Sequence, residues 1–307
     1  MENGNIYDLI IVGGGPAGLT AAIYARRADH SVLILERAAF GGQITQSPKV
    51  ENIPGFLSLS GNEFADKLVE QAMEQGADVE LCEALEIRDG DPKIVVTDVG
   101  EFAARSVIVA TGAAHRRLGL PREEDFIGNG ISFCAVCDGA FYKNRTVAVI
   151  GGGNSALQEA LLLADQCAKV TVVQNLDFLT GEKRLCDELY TRKNVEILLG
   201  TVADAFLGDP DLTGLRVKRV ADGETRDLKV DGVFVAIGLI PQNEPFGNLL
   251  PLDRYGYAAV DESCKTGTPG VFVAGDCRSK RIRQVTTAAA DGAVAALAAG
   301  EYLKGIR

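Results

Sequence analysis

Residues 7 to 18 read Tyr-Asp-Leu-Ile-Ile-Val-Gly-Gly-Gly-Pro-Ala-Gly, an apolar run followed at once by closely spaced glycines. The run over Tyr7–Val12 predicts a buried strand of a parallel sheet, because such strands are covered on both faces. Helical composition follows over Leu19–Ala28, and Ser31–Leu35 predicts a second strand that Glu36 closes. Strand, glycine loop, helix and strand together form the βαβ unit of a dinucleotide-binding fold.

The glycines of this first loop have distinct physical roles. Gly13 allows the tight turn, Gly15 lets the backbone approach a pyrophosphate, and Gly18 lets the helix pack on the strand. The pyrophosphate is expected at the helix N-terminus, where free N–H groups and the helix dipole favour an anion. Glu36 lies eighteen residues beyond Gly18 and can accept a hydrogen bond from a ribose hydroxyl. The first loop therefore predicts a dinucleotide site.

A second unit of the same kind begins at Thr146, so the chain contains a repeat. A strand over Thr146–Ile150 leads to Gly151-Gly152-Gly153-Asn154-Ser155-Ala156, a helix through Ala164 and a strand over Val170–Val173. That strand ends in Gln174-Asn175-Leu176, whereas an NAD site requires an acid here and an NADP site requires arginine. Two interpretations stay open: a nucleotide site with altered ligands, or a loop that only packs helix on sheet.

A pair of cysteines lies between the two glycine loops, in the stretch Cys134-Ala135-Val136-Cys137-Asp138. A Cys-x-x-Cys pair is either a redox couple or half of a zinc site. Zinc needs two more ligands, and the two histidines, His30 and His115, are not paired at ligand spacing. The pattern therefore favours a redox disulfide and no metal. Asp138 is either a proton-transfer group or a helix-capping residue.

Length and charge restrict the class of protein. A chain of 307 residues suggests about two domains. The net charge of −11 argues against nucleic acid as a partner. The apolar runs are short and interrupted by glycine, which predicts no membrane span. The first residues lack the basic-then-apolar order of a signal peptide, so we expect a cytoplasmic protein without structural disulfides.

The remaining segments extend the same α/β pattern. The other predicted elements are helices over Gly61–Gly76 and Thr286–Leu303 and strands over Val79–Cys82, Lys93–Thr97, Ser106–Ala110, Val233–Ile237 and Val271–Ala274. We therefore predict two Rossmann-like nucleotide-binding domains, the second inserted in the first, with boundaries near 117 and 245. Residues 1–117 and 246–307 form the first domain in this prediction, and residues 118–245 form the inserted one.

Taken together, the motifs resemble those of the low-molecular-weight thioredoxin reductases over essentially the whole chain. The matching motifs are Gly13–Gly18, Gly41-Gly42-Gln43, Val50–Gly55, Ala110–Ala113, Cys134–Asp138, Gly275-Asp276 and Arg283-Gln284-Val285. In that family the first domain binds FAD, and the inserted domain carries NADPH and the redox disulfide. The resemblance implies FAD as cofactor, thioredoxin as electron acceptor and a homodimer.

The resemblance also implies roles for individual residues. Cys137 would lie against the flavin, Cys134 would attack the partner disulfide, and Asp138 would move protons. The residues implied at FAD are Gly13, Gly15, Pro16, Ala17, Gly18, Glu36, Gly42, Gln43, Asn52, Thr111, Gly112, Asp276, Arg283, Gln284 and Val285.

The chain departs from the family after the second repeat's strand. The family usually has His-Arg-Arg and a further arginine there, and these arginines hold the 2′-phosphate of NADPH. The aligned positions here are Gln174, Asn175, Leu176 and Thr180. Charge-assisted bonds of ~1.5–3 kcal/mol each are lost, which predicts very weak NADPH binding.

This loss resembles the ferredoxin-dependent flavin thioredoxin reductases of anaerobes. A flavin can collect single electrons and pass them on as a pair. We therefore expect ferredoxin as the electron donor. The alternatives are a conventional NADPH-dependent reductase with an atypical site, and a flavin-binding redox sensor without turnover.

Four cationic residues follow the Gly275-Asp276 motif within a short stretch, namely Arg278, Lys280, Arg281 and Arg283. Ferredoxins are typically acidic, and a cationic patch near the flavin would orient their encounter with a chain that is itself acidic. One interpretation is a docking patch for ferredoxin. The other is a set of solvated loop charges, with Arg283 alone at FAD.

Overall fold

The computed structural model describes residues 6–47 and 49–306, which fall into two compact units. The first unit takes in the chain up to Ala114 and again from Ile240, and the second is His115–Leu239. The sequence analysis places the domain boundaries near 117 and 245. The assignment of FAD to the first unit and of a nucleotide-domain-like module to the second stays a prediction.

The elements are numbered along the chain. The strands are β1 (Tyr7–Val12), β2 (Val32–Glu36), β3 (Asp78–Leu81), β4 (Ala84–Arg88), β5 (Lys93–Thr97), β6 (Gly100–Val109), β7 (Ala113–His115), β8 (Ile131–Ser132), β9 (Thr146–Ile150), β10 (Lys169–Val173), β11 (Val195–Leu198), β12 (Thr201–Leu207), β13 (Gly214–Arg219), β14 (Thr225–Lys229), β15 (Gly232–Val235), β16 (Leu239–Pro241) and β17 (Val271–Val273). The α-helices are α1 (Pro16–Arg27), α2 (Gly61–Glu74), α3 (Glu123–Phe126), α4 (Ala135–Asp138), α5 (Asn154–Ala164), α6 (Lys183–Thr191) and α7 (Val285–Gly305). Short 3₁₀ turns cover Gly42–Gln46, Gly139–Tyr142, Glu244–Phe246 and Gly275–Cys277.

The sheet of the first unit is built around β1. Its strand order is β3-β2-β1-β6-β5-β4, and β17 also pairs with β6. The β1–β2, β1–β6 and β6–β17 pairs are parallel, so their carboxyl ends meet at one edge of the sheet. Leu9 and Ile11 enter one buried cluster, while Ile10 and Val12 enter the other. Because both faces are covered, β1 is a continuous apolar run.

Helix α1 begins earlier than its composition suggests. The sequence predicts a helix over Leu19–Ala28, whereas α1 runs from Pro16 to Arg27. Proline suits the first helical turn, because its missing N–H would have no partner there. Helix α7 packs closely on α1, and a Cβ at Gly292 would collide with the carbonyl oxygen of Ala17.

The second unit contains the repeated βαβ arrangement. Its parallel sheet has the order β11-β10-β9-β15-β8, and β12, β13 and β14 form a separate antiparallel sheet. Val147 and Val149 lie in one buried cluster, and Ala148 and Ile150 lie in the cluster on the opposite face. The apolar run of β9 therefore has the same physical cause as that of β1. The predicted α/β fold with two Rossmann-like units is confirmed.

Polar edge elements are the ones that the sequence analysis misses. Strand β6 begins at Gly100 rather than at the predicted Ser106, because its polar first half pairs with β5. Strands β4, β13 and β14 and helix α6 carry many charged side chains, so no apolar run marks them. Within the described residues, no helix is long and apolar enough to cross a membrane.

Candidate functional site

The first glycine loop connects β1 to α1 and is closed by backbone packing. Gly13 has a φ of +113°, and a Cβ there would collide with the carbonyl oxygen of Ala110. A Cβ at Gly18 would collide with the carbonyl oxygen of Gly13. At Gly15 the nearest atom to such a Cβ is 4.0 Å away, on Gly41. The loop thus combines a tight turn and close helix packing with open backbone at Gly15, which is the arrangement that a pyrophosphate requires.

Glu36 is held beside this loop at the end of β2. Its Oε2 accepts a hydrogen bond from the Gly14 N–H at 2.8 Å, and its Oε1 accepts one from the Ala38 N–H at 3.0 Å. These two bonds fix the carboxylate next to the start of α1. The geometry agrees with the predicted role of Glu36 at a ribose, although a ribose contact itself stays a prediction.

Two other segments approach the same loop. The Gly41 N–H donates to the carbonyl oxygen of Gly14 at 2.8 Å, and a Cβ at Gly42 would lie 3.3 Å from the Cα of Gly15. These contacts bring the turn that contains Gln43 to the loop. On the other side, a Cβ at Gly275 would lie 2.8 Å from the Cβ of Ala17, which places the Gly275–Cys277 turn beside the start of α1.

Asp276 contributes a buried acceptor to this region. Its Oδ1 has no hydrogen-bond partner among residues 6–47 and 49–306, and the nearest cation, Lys280 Nζ, is 3.6 Å away. Burial raises the pKa of Asp276, and the charges of Lys280 and Arg283 oppose this only in part. A buried acceptor without a hydrogen bond beside the glycine loop fits the hydroxyl groups of a bound ligand.

The remaining predicted FAD residues are linked to this region by contacts. Arg283 Nε donates to the Asp276 carbonyl oxygen at 3.4 Å, and Gln284 precedes Val285 at the start of α7. The Asn52 amide donates to the Gln284 side-chain oxygen at 3.4 Å. The first unit therefore connects the predicted residues in space, while their contacts with FAD remain a prediction.

Thr111 and Gly112 follow β6 at the carboxyl edge of the sheet. The Thr111 hydroxyl donates to Asn243 Oδ1 at 3.3 Å. Asn243 is fully buried, and its amide donates to the carbonyl oxygens of Cys277 and Gly256 at 2.7 and 2.9 Å. Asn243 thus ties the β6 end to the Asp276 turn. The sequence analysis misses it, because a single Asn in a loop carries no signal of burial.

The interpretation of Arg278 and Lys280 as part of a docking patch is wrong. Arg278 is 3% exposed, and its guanidinium binds both oxygens of Asp291, with Nε–Oδ2 at 2.7 Å and Nη2–Oδ1 at 2.8 Å. Lys280 Nζ donates to Asp291 Oδ2 at 2.9 Å and its side chain is 6% exposed. Arg281 is exposed. Two of the four cations are therefore buried and neutralised instead of facing a partner.

Asp291 is a second residue that the sequence analysis misses. Burial raises its pKa, but the bonds from Arg278 and Lys280 outweigh this, so the pKa of Asp291 is lowered. It also accepts the Gly275 N–H at 3.0 Å and so fixes the turn before Asp276. A signal was available, because Asp291 is a lone acid within the alanine-rich part of α7.

The dithiol lies in the second unit, around the short helix α4. Cys134 and Cys137 form a disulfide, and the Cys137 N–H donates to Cys134 Sγ at 3.2 Å. The Ser132 hydroxyl accepts from the Cys134 N–H at 3.1 Å and donates to Asp138 Oδ2 at 2.6 Å. Ser132 thus connects the carboxyl group to the cysteine segment. Within the described part of the chain, no cluster of His, Cys, Asp and Glu side chains could hold a metal ion.

Asp138 is a partly buried acid and not a cap. The 3₁₀ turn over Gly139–Tyr142 begins directly after it, yet the Asp138 side chain makes no capping hydrogen bond to that turn. The capping interpretation is therefore wrong. Burial raises the pKa of Asp138, and the Ser132 bond opposes the shift. A carboxyl group with a raised pKa next to a disulfide can give and take protons closer to neutral pH than an exposed one.

The second glycine loop differs from the first at the position of Glu36. Gln174 follows β10 and is 4% exposed, and a Cβ at Gly152 would collide with its side-chain amide. The Gln174 amide donates to the Phe178 carbonyl oxygen at 3.2 Å. The carbonyl oxygen of Gly152 accepts N–H groups from Thr180 and Gly181 at 2.8 and 2.9 Å. The segment after β10, which carries the arginines in the low-molecular-weight thioredoxin reductases, is thus folded onto the second glycine loop.

Comparison with known proteins agrees with this architecture. The family model for pyridine nucleotide-disulphide oxidoreductases matches residues 7–292. A thioredoxin reductase of Listeria monocytogenes is 41% identical over 98% of this chain and 95% of that protein. This chain belongs to the thioredoxin reductase family. A 34.2 kDa protein in the rubredoxin operon of Clostridium pasteurianum is 42% identical over 97% of each chain. The crystal structure of thioredoxin reductase from Streptococcus pyogenes superposes with a TM-score of 0.93 at 38% identity, over 98% of this chain and 99% of that one.

Thioredoxin reductases of this family are FAD-binding flavoproteins. The first unit fits that cofactor, because its loop leaves Gly15 open and Asp276 keeps a buried acceptor that has no hydrogen-bond partner in the described residues. The dithiol belongs to the other unit, where Cys134 and Cys137 form the disulfide of a disulfide oxidoreductase.

Proposed function

We propose that this protein is an FAD-dependent thioredoxin-disulfide reductase that receives electrons from ferredoxin rather than from NADPH. When bound, FAD supplies chemistry that accepts single electrons and delivers pairs. The first glycine loop would hold the pyrophosphate, Glu36 a ribose, and Asp276 a hydroxyl of the cofactor. Homodimer assembly and a cytoplasmic location belong to the same proposal, on the resemblance to the family alone.

The dithiol chemistry follows from thiol–disulfide exchange. A thiolate attacks the partner disulfide and forms a mixed disulfide, which the second cysteine then resolves. We assign the attack to Cys134 and the resolution to Cys137. Asp138 is bonded through Ser132 to the Cys134 segment, so its carboxyl group is in place to hold or release the proton that the sulfurs exchange.

The observation that carries the choice of donor is the second glycine loop. Gln174 is buried against Gly152, and the hydroxyl oxygen of Thr180 would lie 3.8 Å from a Cβ at Gly153. The side chains at the positions where arginine would meet the 2′-phosphate of NADPH are thus neutral. The bonds that arginine would make contribute ~1.5–3 kcal/mol each, so their loss weakens NADPH by several orders of magnitude.

The second glycine loop also lacks the contact that NADH requires. An NAD site uses an acidic side chain after the second strand to hold the ribose hydroxyls. Gln174 occupies that position, and its amide is already bonded to Phe178. The loop thus offers neither nicotinamide cofactor its usual contact at this position, which supports the proposal of a one-electron protein donor.

The test is to mix the oxidised holoenzyme anaerobically with NADPH, NADH and reduced ferredoxin in turn, while recording flavin absorbance. We expect ferredoxin alone to bleach the flavin at a useful rate, and oxidised thioredoxin to restore the colour with formation of thiols. Bleaching within seconds by micromolar NADPH would assign the protein to the conventional reductases. Flavin that is reduced and never reoxidised by thioredoxin would indicate a sensor without turnover.

A further inference from the structure

A second buried carboxyl group lies in the dithiol region. Glu159 is on α5, and the backbone N–H of Ala135 at the start of α4 faces its carboxyl group. Glu159 Oε2 is buried and has no hydrogen-bond partner within residues 6–47 and 49–306. Asp138 Oδ1, at the other end of α4, has the same character. One acid therefore ends the short helix α4 and the other faces its first residue, and each has one oxygen without a hydrogen-bond partner in the described residues.

The surroundings of the two acids are apolar. Ala135 packs in a buried cluster with Ala156, Ala160 and Leu163 of α5. Tyr142, in the turn after α4, packs against the same cluster, and burial together with the Asp138 charge raises its pKa. Arg145, Asp231 and Cys167 also act on Tyr142, and burial raises the pKa of Cys167 to about 11.

The charged side chains of neighbouring elements are paired with each other. Lys183 of α6 pairs with Asp187, Lys169 of β10 with Glu196, and Asp165 after α5 with Arg192, at 2.6, 2.5 and 2.6 Å. These pairs leave the field of Asp138 as the charge that acts on Glu159.

The electrostatic consequence is a coupled pair. Burial raises the pKa of Glu159 to about 7, the Ala135 N–H opposes the shift, and the negative charge of Asp138 adds to it. Two interacting acids lose their protons in two steps that belong to the pair. Burial and the negative charge of Asp138 together keep Glu159 protonated until the solution is close to neutral.

We propose that Glu159 is a positioning residue that acts with Asp138 as one buried carboxyl pair and controls proton transfer at the Cys134–Cys137 dithiol. While Glu159 is protonated, Asp138 stands alone as a carboxylate of moderate basicity. When Glu159 ionises, the added negative charge makes Asp138 a stronger base. This inference rests on the proposed role of the dithiol in exchange.

The exchange step transfers two electrons and two protons. The dithiol sulfurs pass two electrons to the partner disulfide, whose S–S bond breaks while the Cys134–Cys137 bond forms. The two protons of the dithiol leave its sulfurs, and two protons join the sulfurs of the partner. Asp138 accepts the proton of the attacking thiol, and the state of Glu159 sets how strongly Asp138 holds it.

The first test follows the rate of exchange with pH. Holoenzyme is reduced with dithiothreitol, freed of excess reagent, and mixed in a single turnover with oxidised thioredoxin across the pH range. We expect an inflection near pH 7 in the unmodified protein, since Glu159 titrates there. Glu159→Gln mimics the neutral acid at every pH and should remove that inflection. Asp165→Asn, an exposed acid at the end of the same helix, should leave it in place. An unchanged inflection in Glu159→Gln would overturn the proposal.

The second test does not need turnover or a stable Glu159 variant. Infrared difference spectra report the carbonyl stretch of a protonated carboxyl group as pH changes. We expect a band that titrates near pH 7 in the unmodified protein, and a shift of that titration to lower pH in Asp138→Asn, where the like charge is gone. No shift in Asp138→Asn would contradict the coupling. If thioredoxin does not react at any pH, the proposed function fails, while the infrared result still decides whether the pair exists.

Discussion

At the scale of single residues, the two glycine loops differ in the residue that follows the second strand of each βαβ unit. Leu35 lies opposite Val12 in the first sheet, and Val173 lies opposite Ile150 in the second, so Glu36 and Gln174 hold equivalent positions. Glu36 bonds to the backbone of its loop, whereas Gln174 bonds to the segment that follows it. The carboxylate thus binds its own glycine loop, whereas the amide binds the segment that follows β10.

The two cysteines have separable roles, which single substitutions can expose. Cys134→Ser should bind FAD and fail to reduce thioredoxin, because it removes the attacking thiolate. Cys137→Ser should accumulate a mixed disulfide with thioredoxin through Cys134, because the resolving thiol is gone. Non-reducing electrophoresis and mass spectrometry detect the adduct. Cys186→Ser removes a partly exposed free cysteine and serves as the control. Full turnover in either variant would remove these residues from the mechanism.

Residues with a fixed spacing could be predicted from the sequence, and residues defined only by burial could not. The glycines of the first loop and the Cys-x-x-Cys pair can be recognised in the sequence, because turn geometry and exchange chemistry restrict both the residue type and the spacing. Asn243 and Glu159 carry no such restriction in the sequence. Each becomes distinctive only when the fold removes it from water and fixes its polar neighbours.

At the scale of elements, the segment after β10 is where the nucleotide specificity can be changed. Asn175→Arg, Leu176→Arg and Thr180→Arg in one variant should tighten NADPH binding at least a hundredfold, since two charge-assisted bonds contribute ~1.5–3 kcal/mol each. NADH lacks the 2′-phosphate and should not respond. Titration calorimetry measures both. Glutamine at the same three positions is the neutral control, and equal gains for NADPH and NADH would show that the arginines do not read the phosphate.

A buried ion pair connects the turn at Asp276 to helix α7. Removing one partner of such a pair costs about 3–5 kcal/mol, because the other charge stays buried alone. We expect Asp291→Asn to lower the temperature of FAD release, followed by flavin fluorescence. Glu301 lies on the same helix and forms an exposed ion pair with Lys265. Glu301→Gln breaks that pair and should lower the stability by less than about 1 kcal/mol. Equal effects of the two variants would contradict a structural role for Asp291.

The same pair predicts a pH dependence. The pKa of Asp291 is lower in the folded protein than in the unfolded chain. Its contribution is therefore complete above the unfolded value of about 3.9 and is lost as the pH falls through the folded value. The difference in stability between the unmodified protein and Asp291→Asn should shrink in acid. Chemical unfolding measures this difference, and an equal difference at neutral and at acidic pH would contradict the expectation.

Apolar elements could be predicted from the sequence, whereas polar edge elements could not. Strands β1 and β9 are apolar because both of their faces are covered, and that cause is visible in the sequence. The first half of β6 is polar, because it pairs with β5 away from the centre of the sheet. Its extent depends on a partner strand and not on its own composition.

At the scale of the whole molecule, the net charge, and not the loop with Arg278 and Lys280, determines the long-range interaction with ferredoxin. The chain carries −11, and Arg278 and Lys280 are neutralised in the interior. An acidic ferredoxin is therefore repelled at long range, and salt screens that repulsion. We expect flavin reduction by ferredoxin to become faster as ionic strength rises. Photoreduction by an uncharged deazaflavin is the control and should not respond. A rate that falls with salt would indicate a cationic docking surface elsewhere on the protein.

The order of segments along the chain has a consequence for synthesis. The second unit is complete once the ribosome has released Leu239, whereas the first unit still lacks β17 and α7 at that point. Domains commonly fold as units while the chain emerges. The dithiol unit can therefore acquire its structure while the first glycine loop still waits for Asp276 and for the close contact of Gly292 with Ala17. The cofactor site is therefore the last part of this protein to be completed during synthesis. A chain truncated before α7 would have a folded dithiol unit and an incomplete flavin site.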